Sequence, residues 1–172
     1  MKGPILDVKD LVTAFKTDRG IMKAVDGVSF HVGKGEILGL VGESGCGKSV
    51  TSQSIMRLYD EKFLVNYQGE IVFDGKELFS LSEREMQDIR GKEIAMVFQD
   101  SLSSLNPVFT CGNQIMEAIM VHQGVRAVKA RELAIEMLRL VGIPWPEKRI
   151  NQYPHELSGG MRQRIMIACA LC

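Results

Sequence analysis

The first part of the chain alternates between strand-like runs and turns. Apolar and polar residues alternate loosely over residues 5–12, residues 17–20 have turn composition, and the alternation resumes over residues 22–32. Alternation with a period of two indicates strands with one buried face. We therefore expect an antiparallel β layer, followed by a turn at residues 33–36.

Two continuous apolar runs, residues 37–41 and 94–98, have the length of buried strands. A helix-like stretch, residues 50–58, follows the first run, and a strand and turn are expected at residues 69–76. Ser82 and Glu85 have the spacing of a capping box for a short helix that ends at Gly91. This order of elements predicts an α/β fold.

The second half of the chain is predicted to be mainly helical. Residues 101–109 contain the Ser, Asn and Pro of a loop, and residues 126–141 place apolar side chains on one helical face before Gly142 and Pro144 end the helix. A further helix is expected after Ser158. The apolar stripes are interpreted as core rather than as binding grooves.

Composition restricts the classes of function. The 172 residues are 45% hydrophobic and 24% charged, which suits one domain with a subdomain. The chain contains 21 basic residues (Lys plus Arg) and 21 acidic residues (Asp plus Glu), so it has no net charge that would favour binding to nucleic acid or anionic lipid. No apolar run approaches the about 20 residues that span a bilayer, and no signal peptide is recognisable, so a cytosolic protein is expected.

The four cysteines are few and scattered, which suits a reducing compartment. They are Cys46, Cys111, Cys169 and Cys172. The last two have Cys-x-x-Cys spacing, but without a second pair or histidines they are interpreted as small core residues on a helix rather than as a metal or redox site.

The strongest motif is GESGCGKS at residues 42–49, between an apolar run and a helix. Glycines let backbone N–H groups approach phosphate oxygens, and the helix N-terminus adds a positive dipole end. Lys48 would contact the β and γ phosphates, and the Ser49 hydroxyl would bind Mg²⁺. The candidate triphosphate-binding residues of this segment are Gly42, Glu43, Ser44, Gly45, Cys46, Gly47, Lys48, Ser49 and Val50.

Two further sites are weaker when each is taken alone. Gln99 follows the apolar run at residues 94–98, where α/β proteins bind ligands, although an ordinary strand-end amide is the commoner case. Ser158, Gly159 and Gly160 begin a helix whose first N–H groups are uncrowded. They predict a second anion site, although a simple capped helix is the alternative.

With these motifs in this order, the chain resembles the nucleotide-binding subunit of an ATP-binding cassette (ABC) transporter. It is most similar to the ATPases of bacterial dipeptide and oligopeptide importers, a group that includes nickel importers. The resemblance covers the whole chain and rests on GESGCGKSVTSQSIMRL, FQDSLSSLNPVFTCGNQI and YPHELSGGMRQRIMIA. It implies a P-loop NTPase fold with an antiparallel β subdomain and core over residues 1–100, and a helical subdomain with the signature motif over residues 101–165.

The resemblance also implies roles for individual residues. Phe15 matches the aromatic residue that stacks on adenine, and Lys48 and Ser49 match the phosphate and Mg²⁺ ligands. Gln99 matches the residue that links Mg²⁺ to the membrane subunits, and with Lys48 it is the catalytic candidate. Ser158 to Gly160 match the signature that contacts the γ-phosphate held by the opposite subunit. ATP and Mg²⁺ are the implied cofactors.

The implied partners form a transporter at the cytoplasmic face of the inner membrane. Two homologous ATPase subunits would sandwich two ATP molecules head to tail, and the helical segment after Gln99 would meet two membrane permease subunits. A substrate-binding protein is an indirect partner, and nucleic acid is not expected. Peptide import driven by ATP hydrolysis is the leading hypothesis. The alternatives are a non-transporter ABC ATPase switch and a nucleotide-binding module without hydrolysis.

The chain departs from the family pattern at three places. Ser101 stands where importer ATPases usually have proline, and Cys46 replaces a commoner serine, where we expect a reactive thiol that ATP protects. The sequence stops at Cys172, before the family's Asp-Glu strand, D-loop and switch histidine, and neither His122 nor His155 is placed to substitute. The expectation is a C-terminally incomplete fragment that has an uncovered sheet edge and does not hydrolyse ATP alone.

Overall fold

The computed structural model describes residues 3–59, 61, 64–99 and 104–172. The chain forms two compact units, Met1–Met86 and Gln87–Cys172. The expectation for Ser101 lies outside the described residues.

The first unit is built on a four-stranded antiparallel sheet in the order β2-β1-β3-β4. The strands are β1 (Leu6–Thr17), β2 (Gly20–Val32), β3 (Val65–Phe73) and β4 (Lys76–Glu77). The predicted antiparallel layer is confirmed. Apolar side chains of β1 and β3, among them Val8, Leu11 and Ile71, are fully buried in its core.

Helix α1 (Lys48–Ile55) contacts this sheet through a buried polar pair. The hydroxyl groups of Thr13 and Ser54 lie 2.8 Å apart, and Ser54 also donates to the carbonyl of Val50 at 2.7 Å. The sequence predicted that this helix ends at residue 58, but it ends at Ile55. It ends early because Arg57 adopts a left-handed conformation with φ 48°.

Helix α2 (Glu83–Ile89) begins with the predicted capping box. The Ser82 N–H donates to the Glu85 carboxylate at 2.8 Å, and the Glu85 N–H donates to the Ser82 hydroxyl at 3.4 Å. The Ser82 hydroxyl also donates to the Glu85 carboxylate at 2.7 Å. This bond and the one from the Ser82 N–H stabilise the charged carboxylate, so they lower the pKa of Glu85. The helix ends at Ile89, and Gly91 follows with φ 82°.

The second unit is helical, as predicted. It contains α3 (Cys111–Gln123), α4 (Ala127–Leu140), α5 (Pro146–Arg149) and α6 (Gly159–Ala170). Ala130, Ala134 and Leu138 on α4 are fully buried, so the predicted apolar stripe is core. Trp145 precedes α5 in a left-handed conformation, is 70% exposed, and lies 6.0 Å from the Arg149 guanidinium.

The two apolar runs at residues 37–41 and 94–98 are not strands in the structure, which corrects the sequence prediction. Ile37 is 97% exposed and Val41 is 90% exposed. Among the described residues, the one β-type backbone pairing made by either run is an isolated bridge between Ile94 and Arg90. A strand is stable only when a neighbour satisfies its backbone and covers its side chains, and the described residues supply no such neighbour here.

Cys169 and Cys172 are free thiols on and just after α6. Both are partly buried, and the Cys172 thiol donates to the Ala168 carbonyl. The described residues contain no group of three or more His, Cys, Asp or Glu side chains suited to a metal ion. No described helix is both long and apolar enough to span a membrane.

Candidate functional site

The phosphate-loop motif forms an irregular turn that leads directly into α1. Gly45 and Gly47 have φ of 82° and 92°, a conformation that favours glycine. A Cβ at Gly47 would lie 2.4 Å from the carbonyl oxygen of Ala24 on β2, so the loop backbone rests against the sheet. The Thr51 N–H and hydroxyl both donate to the Gly47 carbonyl, at 2.8 and 3.0 Å. These contacts fix the start of α1.

The Lys48 side chain turns back over the loop. Its ammonium donates to the carbonyl oxygens of Gly42 at 2.8 Å and Glu43 at 2.6 Å, and it lies 3.4 Å from the Cys46 sulfur. One positive charge therefore bridges the two ends of the loop, beside the free N–H groups of the helix N-terminus. This arrangement favours an anionic ligand.

The loop fits a nucleoside triphosphate. Its open backbone, the Lys48 ammonium and the first turn of α1 supply N–H donors and positive charge. The Ser49 residue is exposed in that turn, where its hydroxyl is available to a metal. A Mg²⁺ ion that is bound with phosphate takes only one or two protein ligands, so a cluster of acidic residues is not required.

Phe15 lies near the end of β1 and is half-buried. Its ring meets the Tyr59 ring edge to face, with centroids 4.9 Å apart and planes at 90°. The Tyr59 hydroxyl donates to the Gln53 side chain on α1. Sequence reasoning missed these contacts. Tyr59 lies outside the stretches on which the resemblance rests, Gln53 lies in the first of them without an assigned role, and their contacts follow from the fold.

The remaining candidates belong to the second unit. Gln99 is exposed. The prediction that it follows a strand is wrong, because residues 95–98 form no hydrogen-bonded strand. Ser158 caps α6 as predicted, accepting a hydrogen bond from the Met161 N–H at 3.3 Å. A Cβ on Gly160 would meet nothing within 4 Å, so the first turn of α6 is uncrowded. The two helix N-termini that are candidate phosphate-binding sites, those of α1 and α6, thus belong to different units of the chain.

The four cysteines differ in environment. Cys46 is exposed in the phosphate loop, whereas Cys111 is buried. Burial raises the pKa of Cys111 to about 11 and that of Cys169 to about 12, and it also raises the pKa of Cys172. These three remain protonated thiols at pH 8, and thiols react slowly with alkylating agents.

We expect iodoacetamide at pH 8 to alkylate Cys46 before the other three cysteines, and we expect Mg-ATP to slow that reaction by covering the loop. Peptide mapping by mass spectrometry gives the rate at each site, with Cys172 as the internal control. Equal rates at Cys46 with and without Mg-ATP would contradict the placement of the nucleotide.

Comparison with known proteins identifies the family of the chain. The family model described as ABC transporter matches residues 25–172. The oligopeptide transport ATP-binding protein OppD of Bacillus subtilis is 56% identical over 167 residues, covering 97% of this chain and 47% of that protein. The dipeptide transport ATP-binding protein DppD of Bacillus subtilis is 51% identical, covering 97% of this chain and 50% of that protein. The chain thus spans about half the length of these curated relatives.

Solved structures show the same fold. The dimeric structure of MJ0796, a bacterial ABC transporter cassette, matches with a TM-score of 0.84 at 27% identity, covering 96% of this chain and 68% of that chain. The same protein, in a post-hydrolysis state bound to ADP and Pi, matches equally well. The chain therefore has the fold of an ATP-binding cassette and belongs to the ABC transporter family.

Proposed function

We propose that this chain is the nucleotide-binding part of an ATPase subunit that powers import of dipeptides or oligopeptides. The observation that supports this proposal is the similarity of nearly the whole chain to ATP-binding proteins of oligopeptide and dipeptide transport, at 56% and 51% identity. We favour peptide over nickel as the cargo on that similarity.

In this proposal the first unit binds ATP. The Lys48 ammonium leaves the loop carbonyls of Gly42 and Glu43 and contacts the β and γ phosphates, while the N–H groups of α1 bind the remaining oxygens. The Phe15 ring stacks on adenine. Ser49 would hold Mg²⁺, and the ion would neutralise charge that develops on the phosphates. Gln99, in the second unit, stays the sequence-based candidate for a further Mg²⁺ ligand.

The second unit would contact partners. We propose that Ser158, Gly159 and Gly160 bind the γ-phosphate of ATP on a second, homologous subunit, which the dimeric state named for the MJ0796 cassette supports. The helical segment, proposed as residues 101–165, would meet two permease subunits at the cytoplasmic face of the membrane. A substrate-binding protein would deliver the cargo to those subunits.

Hydrolysis requires a residue that positions the attacking water, and the family resemblance implies a carboxylate in that role. The family supplies it after the signature helix, and residues 159–172 of this sequence contain no Asp or Glu. We therefore propose that residues 1–172 alone bind ATP without turnover. An assay of ATP binding alongside phosphate release separates this proposal from a self-sufficient ATPase.

The test of peptide import is a chimera. Residues of this chain would replace the matching 167 residues of the Bacillus subtilis oligopeptide protein, in a strain that lacks the original, and uptake of a labelled tripeptide would be measured. We expect uptake to be restored, and to be lost again when the chimera carries Lys48→Ala. A stable chimera that hydrolyses ATP but restores no uptake would contradict the importer proposal and favour a non-transporter ATPase.

A further inference from the structure

Tyr59 touches two elements of the candidate nucleotide site. Its ring meets Phe15 edge to face at 4.9 Å, and its hydroxyl donates to Gln53 on the last turn of α1. Edge-to-face contact is a favoured geometry for an aromatic pair because the positive ring edge meets the negative ring face. Tyr59 thus connects the aromatic ring near the end of β1 with the phosphate-loop helix.

The position of Tyr59 is fixed by the reversal of the chain after α1. Arg57 has φ 48°, and its largely buried guanidinium donates to the carbonyl oxygens of Leu78 at 2.9 Å and Leu81 at 2.7 Å. This anchor directs the following residues back along the helix. The Tyr59 hydroxyl is protonated at neutral pH, as in any tyrosine, and can donate. Burial raises its pKa further.

Phe15 needs a neighbour that fixes the orientation of its ring if the ring is to stack on a ligand. It is only half-buried, so part of its ring is accessible, and Thr13, two residues earlier on the same face of β1, is already tied to α1 through Ser54. A ring that is held in one orientation loses less conformational entropy when a ligand stacks on it.

We propose that Tyr59 is a positioning residue for the nucleotide base: it holds the Phe15 ring in the orientation that stacks on adenine. The inference rests on the proposed function, because Phe15 acts on a base only if ATP binds here. Tyr59 bonds to Gln53, on the last turn of α1, whereas the phosphate loop adjoins the first turn. Its removal should therefore weaken base recognition and spare phosphate recognition.

The test compares ATP with inorganic tripolyphosphate, which lacks the base. For Tyr59→Leu we expect ATP affinity to fall about two- to twelvefold, the range of an aromatic pair, while tripolyphosphate affinity stays within about twofold of wild type. Isothermal titration calorimetry of the 172-residue chain gives both constants. Retained tripolyphosphate binding shows that the variant is folded.

Two variants serve as controls. Tyr59→Phe keeps the ring contact and should lose less ATP affinity than Tyr59→Leu. Tyr153→Leu removes a tyrosine of the second unit, which stacks on His155 with ring centroids 5.5 Å apart and does not contact Phe15. It should leave the ratio of the two affinities unchanged. In a Phe15→Leu background, Tyr59→Leu should cause no further loss, because the two residues would act through one contact.

Each outcome has a distinct meaning. Equal weakening of ATP and tripolyphosphate by Tyr59→Leu, or no weakening of ATP, would overturn the inference. It would also be overturned if wild type bound tripolyphosphate as tightly as ATP, since no base contact would then exist. Wild-type protein that binds neither ligand would instead contradict the proposed function.

Discussion

Replacing Lys48 by alanine is expected to weaken ATP binding about ten- to 150-fold. The substitution removes a charge-assisted contact with phosphate worth about 1.5–3 kcal/mol, and each 1.4 kcal/mol is about a factor of ten in affinity. Fluorescence titration with a labelled ATP analogue measures the change.

Lys34→Ala is the matched control for this experiment. Lys34 is an exposed lysine of the same unit that pairs with Asp74 at 3.1 Å, so its loss removes the same charge from a different place. It should change ATP affinity by less than about twofold, because exposed ion pairs contribute little. Unchanged ATP affinity in a folded Lys48→Ala variant would remove Lys48 from the site.

Gly47→Ala should lower the free energy of unfolding by about 2–5 kcal/mol. A left-handed conformation costs an alanine about 1–2 kcal/mol. The added Cβ would lie 2.4 Å from the backbone oxygen of Ala24, and relieving that overlap requires a backbone shift of about 1–3 kcal/mol. Urea unfolding followed by far-UV circular dichroism measures the loss, and ATP binding should weaken because the loop must move.

Gly45→Ala separates the two contributions. Gly45 also has a positive φ, 82°, but a Cβ there would meet nothing within 4 Å. The variant should therefore lose only the conformational part, about 1–2 kcal/mol. Equal losses at the two glycines would mean that the approach of Gly47 to β2 contributes nothing to stability.

Features that depend on nearby residues could be predicted from the sequence. The capping box of Ser82 and Glu85, the Ser158 cap and the buried face of α4 all follow from fixed spacings along one helix. The antiparallel pairing of β1 with β2 was equally accessible because a short turn joins them. The roles assigned to Phe15 and to the loop residues stay predictions, supported by family membership.

Features that depend on distant residues were not predictable. The runs at residues 37–41 and 94–98 have strand composition, but composition cannot tell whether a pairing neighbour is present. The early end of α1 reflects hydrogen bonds from Arg57 to Leu78 and Leu81, more than 20 residues away. The position of Tyr59 follows from the same contacts.

Trp145 makes the second unit observable separately from the first. It is the only tryptophan in the sequence, and its indole is largely exposed beside Arg149 at the start of α5. Its intrinsic emission therefore reports on that corner of the helical unit, while the phosphate loop belongs to the other unit. A change in tryptophan emission on adding nucleotide would consequently be a direct optical readout of a change in the helical unit.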